Sequence, residues 1–330
     1  ITLLNSDYKI LTTILADRLK NICEAAISKQ QKGFVPGRQI TDLIHQVYLV
    51  QDYVDSFDED ALLVLLDMEK AFDRCSWDFL KKSMQALGLG KDIRRWIHAI
   101  YDNERPPERK IKMNGEKSYQ FALGSGVAQG CPLSPLLFLF IGEPLTRMLE
   151  NDERLKGVTI GEHEHKVGQF ADDTAAMLEG YQHLKKLFEI VNKWERATGM
   201  ACNRSKTALI PMGSTRKEEI PEELLRELDL PKPSEEPYEI YLGAPVASDK
   251  SIYKEFLKEK YRATKSKMAS WKLNQYTQKG RAMIANTLVS SRLRYWAQFM
   301  LIPRSINKSL DADIQALIWN KEIKFDADED

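Results

Sequence analysis

Apolar residues recur at helical spacing near the start of the chain. Leu11, Ile14, Leu15, Leu19 and Ile22 fall on one face and predict a helix over 6–28. A turn framed by glycine and proline follows, Gly33-Phe34-Val35-Pro36-Gly37-Arg38, and then a helix over about 40–55. Ala61 to Leu66 is an unbroken apolar run ending at Asp67, the pattern of a strand covered on both faces. A helix over about 76–87 stops at Gly88, a residue suited to a C-terminal cap. Residues 102–124 are polar with strand-like patches and a turn at Pro106-Pro107. A helix over 135–150 comes next, then a hairpin over 167–178 that turns at Asp172-Asp173, then a helix over 181–198 that stops near Gly199. Pro211 to Pro237 reads as an acidic, proline-punctuated connector with one short helix at 221–228. Helices are expected over 252–272, 278–300 and 305–319, and the acidic tail 326–330 is expected to fray.

Length and composition narrow the class. The chain has 330 residues, enough for two or three packed subdomains. At 43% hydrophobic and 29% charged it reads as soluble and globular. No apolar run approaches the roughly 20 residues that span a membrane, and ITLLNSDYK lacks the features of a signal peptide. Cys23, Cys75, Cys131 and Cys202 are scattered without metal-ligand spacing, as in a reducing compartment. Net charge is zero, which by itself argues against nucleic acid, but the charge is unevenly distributed. Residues 250–308 carry 14 Lys/Arg and 2 Asp/Glu, whereas residues 216–239 carry 9 acidic and 4 basic residues. A strongly basic stretch is a footprint for a phosphate backbone, although a solvated helical face has the same composition.

Four places carry candidate chemistry. Asp172 and Asp173 sit at the centre of an apolar hairpin, where neighbouring carboxylates resist ionisation unless a hard cation such as Mg²⁺ neutralises them. A solvated turn is the competing reading. Asp67 leaves a buried strand, where it either presents a ligand, simply ends the element or N-caps the next one. In Gly126-Val127-Ala128-Gln129-Gly130, Gln129 both donates and accepts hydrogen bonds, and Gly130 permits close backbone approach. Arg38 offers the rigid donor fork that suits phosphate, and a plain surface arginine looks the same in sequence.

Taken in order, ITLLNSDYKILTTILADRL, QQKGFVPGRQITDLI, LLVLLDMEKAFD, SGVAQGCPLSPLLF, FADDTAAM, TGMACNRSKTAL and YLGAPV resemble the reverse transcriptase domain of non-LTR (LINE-type) retrotransposons, related to group II intron enzymes. The C-terminal WKLNQYTQKGRAMIANTLVSSRLRYWAQF resembles the thumb of those enzymes. The resemblance implies an α+β right-hand polymerase, with an antiparallel palm sheet, fingers and a helical thumb. Fingers are expected at 1–58 and 88–127, palm at 59–87 and 128–246, thumb at 247–330. In relatives a further N-terminal fingers segment precedes the first of these blocks, so the chain is expected to be a piece of a longer protein.

The same resemblance implies the site residues. Asp67 and Asp172 are expected to bridge two Mg²⁺ ions (Mn²⁺ as a substitute), with Asp173 and the Met68 carbonyl completing the metal ligands. Glu69 is expected to face solvent or a basic partner. Phe72 matches the aromatic gate that excludes a 2′-hydroxyl. Arg38, and Lys32 less directly, would hold the dNTP triphosphate; Gln129 and Gly130 would border the nascent base pair. Lys206 matches a lysine that protonates pyrophosphate, or is a surface lysine at a strand start. Tyr241-Leu242-Gly243 matches the primer grip. Lys265, Lys267, Lys272, Lys279, Arg281, Arg292 and Arg294 would meet the nucleic-acid backbone, while Trp271, Tyr295 and Trp296 would form thumb core. The implied partners are an RNA template, a DNA primer and dNTPs, with no membrane, in the cytoplasm and nucleus. Three other readings stand beside this one: a domesticated cellular protein with terminal-transferase activity, a non-catalytic RNA-binding module, and a viral RNA-dependent RNA polymerase. Phe72 and FADD disfavour the last.

Overall fold

The computed structural model describes residues 3–102, 104–217, 219–271 and 273–323; Lys272 and the acidic tail lie outside them. The chain divides into two compact units, 1–235 and 236–330.

Strand β1 (Asp60–Leu66) is an inner strand of the first unit's sheet. It is joined by β2 (Val167–Phe170), β3 (Asp173–Leu178) and β4 (Ala208–Gly213) in the order β4-β1-β3-β2, every pair antiparallel. The apolar run is continuous because both faces are covered. Leu62, Val64 and Leu66 share a core with Leu137 and Phe140 of α5 (Ser134–Asn151). The intervening Leu63, and Ala175 and Met177 of β3, are buried as well. On β2, a Cβ at Gly168 would come within 2.8 Å of Leu43 in α2 (Ile40–Phe57), so that helix lies tight on the sheet. Each such fully buried Leu or Phe contributes about 1.5–3 kcal/mol.

Helices α1 (Ser6–Ala26), α3 (Trp77–Ala86) and α6 (Leu184–Thr198) fall where periodicity predicts. Ser76 caps α3 by accepting from the Phe79 amide at 3.3 Å, and α6 ends at Gly199 in the left-handed conformation. Four local expectations need correction. The inward face of α1 is Thr12, Leu15, Ala16, Leu19 and Cys23, while Ile14 and Ile22 are exposed. Helix α4 (Lys91–Ile100) fills a stretch for which no helix was predicted. Pro211 belongs to β4, opposite Leu62, rather than to the connector. Proline is tolerated there because β4 is an edge strand, where an absent N–H breaks no second ladder. All four cysteines are buried thiols, and burial pushes Cys23 and Cys75 up to about 12.

The second unit contains a hairpin of β5 (Glu239–Tyr241) and β6 (Ala244–Val246). Its helices are α7 (Ile252–Ser270), α8 (Gln278–Ile284), α9 (Ser291–Trp296) and α10 (Arg304–Ile318). They enclose Phe256, Leu257, Tyr261, Val289, Leu293 and Leu310. The single helix expected over 278–300 is the fourth correction: residues Ala285–Ser290 are π-helical, and regular helix ends at Trp296. Among the described residues no helix is long and apolar enough to cross a membrane.

Candidate active site

Phe170 pairs with Asp173, so the turn between β2 and β3 is Ala171-Asp172, one residue earlier than the expected Asp172-Asp173, and Asp173 already belongs to β3. Ala171 has φ 58°, a conformation that glycine adopts easily and alanine rarely. One strand over, Leu66 pairs with Thr174. The next antiparallel position therefore sets Asp67 beside Asp173, and three carboxylates meet at the same end of the sheet. Their electrostatics follow. Asp172 is half-buried, and its carboxyl is raised by lost hydration and by the charge of Asp67. Asp173 is pushed up to about 6 by lost hydration, then by Asp172 and Asp67. Because Asp173 keeps an exposed edge, repulsion from its neighbours is the firmer of these causes.

The segment after β1 is held in place by its backbone. The Asn203 amide donates to the Asp67 carbonyl at 2.8 Å, the Glu69 amide donates to Ala201 at 2.8 Å, and Met68 bridges Cys202. Met68 is buried, and Glu69 pairs with Arg74 as expected. Lys206 closes a short 3₁₀ turn just before β4, with its amide donating to Asn203 at 3.1 Å. Ala208 pairs with Leu65, so exposed Lys206 stands near the end of β1 that carries Asp67.

Phe72 follows on a one-turn helix, Ala71–Arg74. Its half-buried ring stacks on Phe138, centroids 5.2 Å apart and planes 7° from parallel. The loop before α5 docks on this turn: Val127 donates to the Phe72 carbonyl at 2.7 Å and Gly126 to Cys75 at 2.9 Å. A Cβ on Gly126 would lie 2.7 Å from the Asp73 carbonyl oxygen, and φ is +87°, so only glycine fits. Gln129 and Gly130 follow, both exposed.

The turn Gly33–Arg38 is tied to its own surroundings. The Arg38 guanidinium donates to the backbone carbonyls of Ser28, Gln31 (2.6 Å), Ile27 (3.0 Å) and Glu24 (3.4 Å). In this structure its fork is committed to the carbonyl-rich end of α1 and the segment after it. Lys32 pairs with Asp42 at 3.5 Å. A residue not singled out in sequence sits closest to the hairpin instead. Gln31, 1% exposed, accepts from the Ala171 amide at 2.8 Å and donates to the Ala171 carbonyl at 3.2 Å. A buried glutamine inside a polar turn carries no periodic signal, and its partner is 140 residues away.

In the second unit, Tyr241 pairs with Ala244, and Leu242 and Gly243 turn with φ of 50° and 80°. Tyr295 donates its hydroxyl to the Leu242 carbonyl, and the Trp296 indole donates to Gly243 at 3.0 Å. Both rings thus brace the turn besides packing. The Tyr241 ring is buried, which leaves the turn's backbone as the exposed element. Lys267, Lys279, Arg292 and Arg294 are exposed. Lys265 is not: it lies on the inward face of α7, 3% exposed, with its ammonium 5.8 Å from the Tyr261 ring centre. Arg281 donates to the Ile318 and Tyr276 carbonyls at 2.8 and 2.7 Å. Lys265 is therefore structural rather than a nucleic-acid contact, and Arg281 spends two of its donors within its own unit.

Among the described residues no three His, Cys, Asp or Glu side chains form a ready metal cage. The all-oxygen set of Asp67, Asp172 and Asp173, with two carboxyls raised by lost hydration and by neighbouring carboxylates, fits an ion that keeps waters and takes phosphate oxygens as further ligands.

Residues 1–238 match the family described as reverse transcriptase (RNA-dependent DNA polymerase). The 149 kDa protein of transposon TX1 from Xenopus laevis is 28% identical over 302 residues, covering 89% of this chain and 22% of its own length. The Pol polyprotein of the type-1 retrotransposable element R2 from Popillia japonica is 28% identical, covering 65% of this chain and 30% of its own. The chain thus spans less than a third of these curated relatives. A telomerase structure from Candida tropicalis, in complex with a fragment of telomeric RNA, superposes with TM-score 0.50 at 11% identity. It covers 96% of this chain and 52% of that one, and shows the right-hand polymerase fold. With the paired Asp67 and Asp172-Asp173 at one sheet end and a family match through most of its length, the chain belongs to the reverse transcriptase (RNA-dependent DNA polymerase) family.

Proposed function

We propose that this chain is the polymerase part of a non-LTR retrotransposon protein, extending a DNA primer on an RNA template. The observation that carries this reading is the convergence of Asp67 with Asp172 and Asp173 at the ends of β1 and the β2–β3 hairpin. Reverse transcriptases use divalent metal ions, and here the proposal is two Mg²⁺, replaceable by Mn²⁺. Asp67 and Asp172 would hold both, with Asp173 and the Met68 carbonyl contributing. When bound, such ions would activate the primer 3′-oxygen and neutralise the leaving pyrophosphate.

The chain's own residues do the rest. Phe72, fixed by its stack on Phe138, sets a wall that leaves a ribose 2′-hydroxyl neither room nor partner. Gln129 and Gly130 offer an exposed amide and an unobstructed backbone to the nascent base pair. Lys206, exposed at the rim, supplies a proton to pyrophosphate from its ammonium. The Leu242-Gly243 backbone meets the primer, and Lys267, Lys279, Arg292 and Arg294 meet phosphates, contributing affinity rather than sequence preference.

Primer extension tests this directly. The chain should add dTTP to oligo(dT) on poly(rA) with Mg²⁺ and not in EDTA. Hybrid binding that persists in EDTA, with no incorporation under either metal, would mean a non-catalytic RNA-binding module instead.

A further inference from the structure

The segment Gln30–Lys32 lies along the outer side of β2. The Gln169 amide donates to Gln30 at 2.9 Å, the Lys32 amide donates to Gln169 at 2.7 Å, and Gln31 forms a parallel bridge with Gln169. That places the Gln31 side chain under the hairpin turn. Its Oε1 accepts from both the Ala171 and Gly33 amides at 2.8 Å, and its Nε2 donates to the Ala171 carbonyl at 3.2 Å. Ala171 N–H only donates and its carbonyl only accepts, so the partners fix which end of the amide is which. A buried network continues inward: Gln169 donates to Thr174 at 3.0 Å and accepts from Thr146 on α5. The turn so held is an alanine at φ 58°, a conformation that persists only when its surroundings impose it. Asp172 is the next residue.

We propose that Gln31 is the positioning residue of this hairpin: its amide closes the Ala171–Asp172 turn as an added strand would, and thereby sets where the Asp172 carboxylate stands. Arg38 supports it from behind, since its guanidinium fixes the carbonyls of Ile27, Ser28 and Gln31. Glu143, 1% exposed on α5, accepts from the Ser28 amide at 3.0 Å, and Arg147 donates to Ala26 at 2.9 Å. The arginine of the fingers turn therefore acts on the reaction through Gln31. A site atom displaced by about 1 Å can lower turnover about 10²-fold, which is the scale of effect at stake.

The kinetic arm of the test rests on the polymerase reading; the exchange arm does not. Gln31→Met keeps length and loses every hydrogen bond. It should lower kcat for dTTP addition about 10²-fold while KM for dTTP and hybrid affinity stay within about twofold. Gln31→Glu keeps both accepted bonds, loses those donated to Ala171 and Gln169, and sets a carboxylate oxygen against both acceptors; its kcat should fall below wild type, and it carries the test if Gln31→Met does not fold. Arg38→Lys should lower kcat with KM unchanged, whereas a raised KM at constant kcat would return Arg38 to the triphosphate. Independently, hydrogen exchange read on short peptides spanning 169–173 should be slow at Ala171 in the wild-type chain and at least about tenfold faster in Gln31→Met, with 175–178 unchanged. Wild-type kcat in both Gln31 variants, or unaltered exchange at Ala171, overturns the proposal. A wild-type chain that incorporates nothing defeats the polymerase reading alone, and the exchange result still decides the clamp.

Discussion

Replacing Gly33 by alanine tests how tightly the β2–β3 hairpin is placed. A Cβ there would lie 2.5 Å from the Ala171 amide nitrogen and 3.1 Å from both the Gln31 Oε1 and the Phe170 carbonyl carbon. Ordinary contact begins at 3.4 Å, so the turn or the facing segment must give by about 0.9 Å. The closest atom is backbone and cannot rotate aside. The φ of Gly33 is not in the left-handed region, so collision, not backbone strain, is the perturbation. Overpacking of this kind costs about 1–3 kcal/mol of stability. A shift of about 1 Å at Asp172 should cost about 10²-fold in the chemical step. The assay is single-turnover dTTP addition on poly(rA)/oligo(dT) at saturating Mg²⁺, beside a thermal melt. Gly124→Ala, with nothing within 4 Å, is the control. Gly33→Ala turning over at the wild-type rate would refute the claim that the hairpin tip is rigidly seated.

Asp172→Ala should abolish incorporation and leave hybrid binding largely intact; retained activity would remove the metal assignment. Phe72→Val should raise ribonucleotide use, measured as the dTTP/UTP ratio of kcat/KM, because the gate loses its ring. Without metal, the raised Asp173 carboxyl, about 6 against roughly 3.9 unfolded, holds its proton more tightly when folded. Its stabilising contribution is therefore complete below pH 4 and is lost as pH rises through 6. Asp173→Asn should accordingly gain in melting temperature relative to wild type between pH 4 and 7; the opposite trend would count against the crowding of charges. Lys279→Glu should weaken hybrid binding and lower its salt slope by about 1, whereas Lys265→Ala should chiefly lower the second unit's melting temperature.

The parts legible in sequence were those where one physical demand acts on many residues. Ala61–Leu66 reads as a doubly covered strand because both faces need apolar cover, and β2–β3 reads as a hairpin because apolar flanks enclose a polar turn. Single side chains were harder. Arg38 in a glycine-proline turn has the chemistry for phosphate, and only the fold reveals four carbonyls waiting for it. Lys265 adds to the basic count of its stretch, yet the spacing Leu257, Tyr261, Lys265, Met268 turns it inward. Helix α4 leaves little trace in sequence because LysAspIleArgArgTrpIle is short and mostly charged, with Ile97 as its one fully buried residue. The π-helical segment 285–290 contains no proline or glycine, and a helical pattern alone does not register one extra residue in a turn.

The cysteines carry a practical consequence. All four lie in the first unit, buried, and the second has none. Alkylation needs a thiolate in contact with solvent, and Cys23 and Cys75 are held far from ionisation as well as covered. Thiol labelling therefore clocks openings of the first unit alone: Cys131 beside the Gln129-Gly130 loop, Cys202 on the strand segment that pairs with Met68, and the other two within the helical core. A footprint of template, primer or nucleotide on that unit becomes readable as slowed modification, cysteine by cysteine, without a foreign probe.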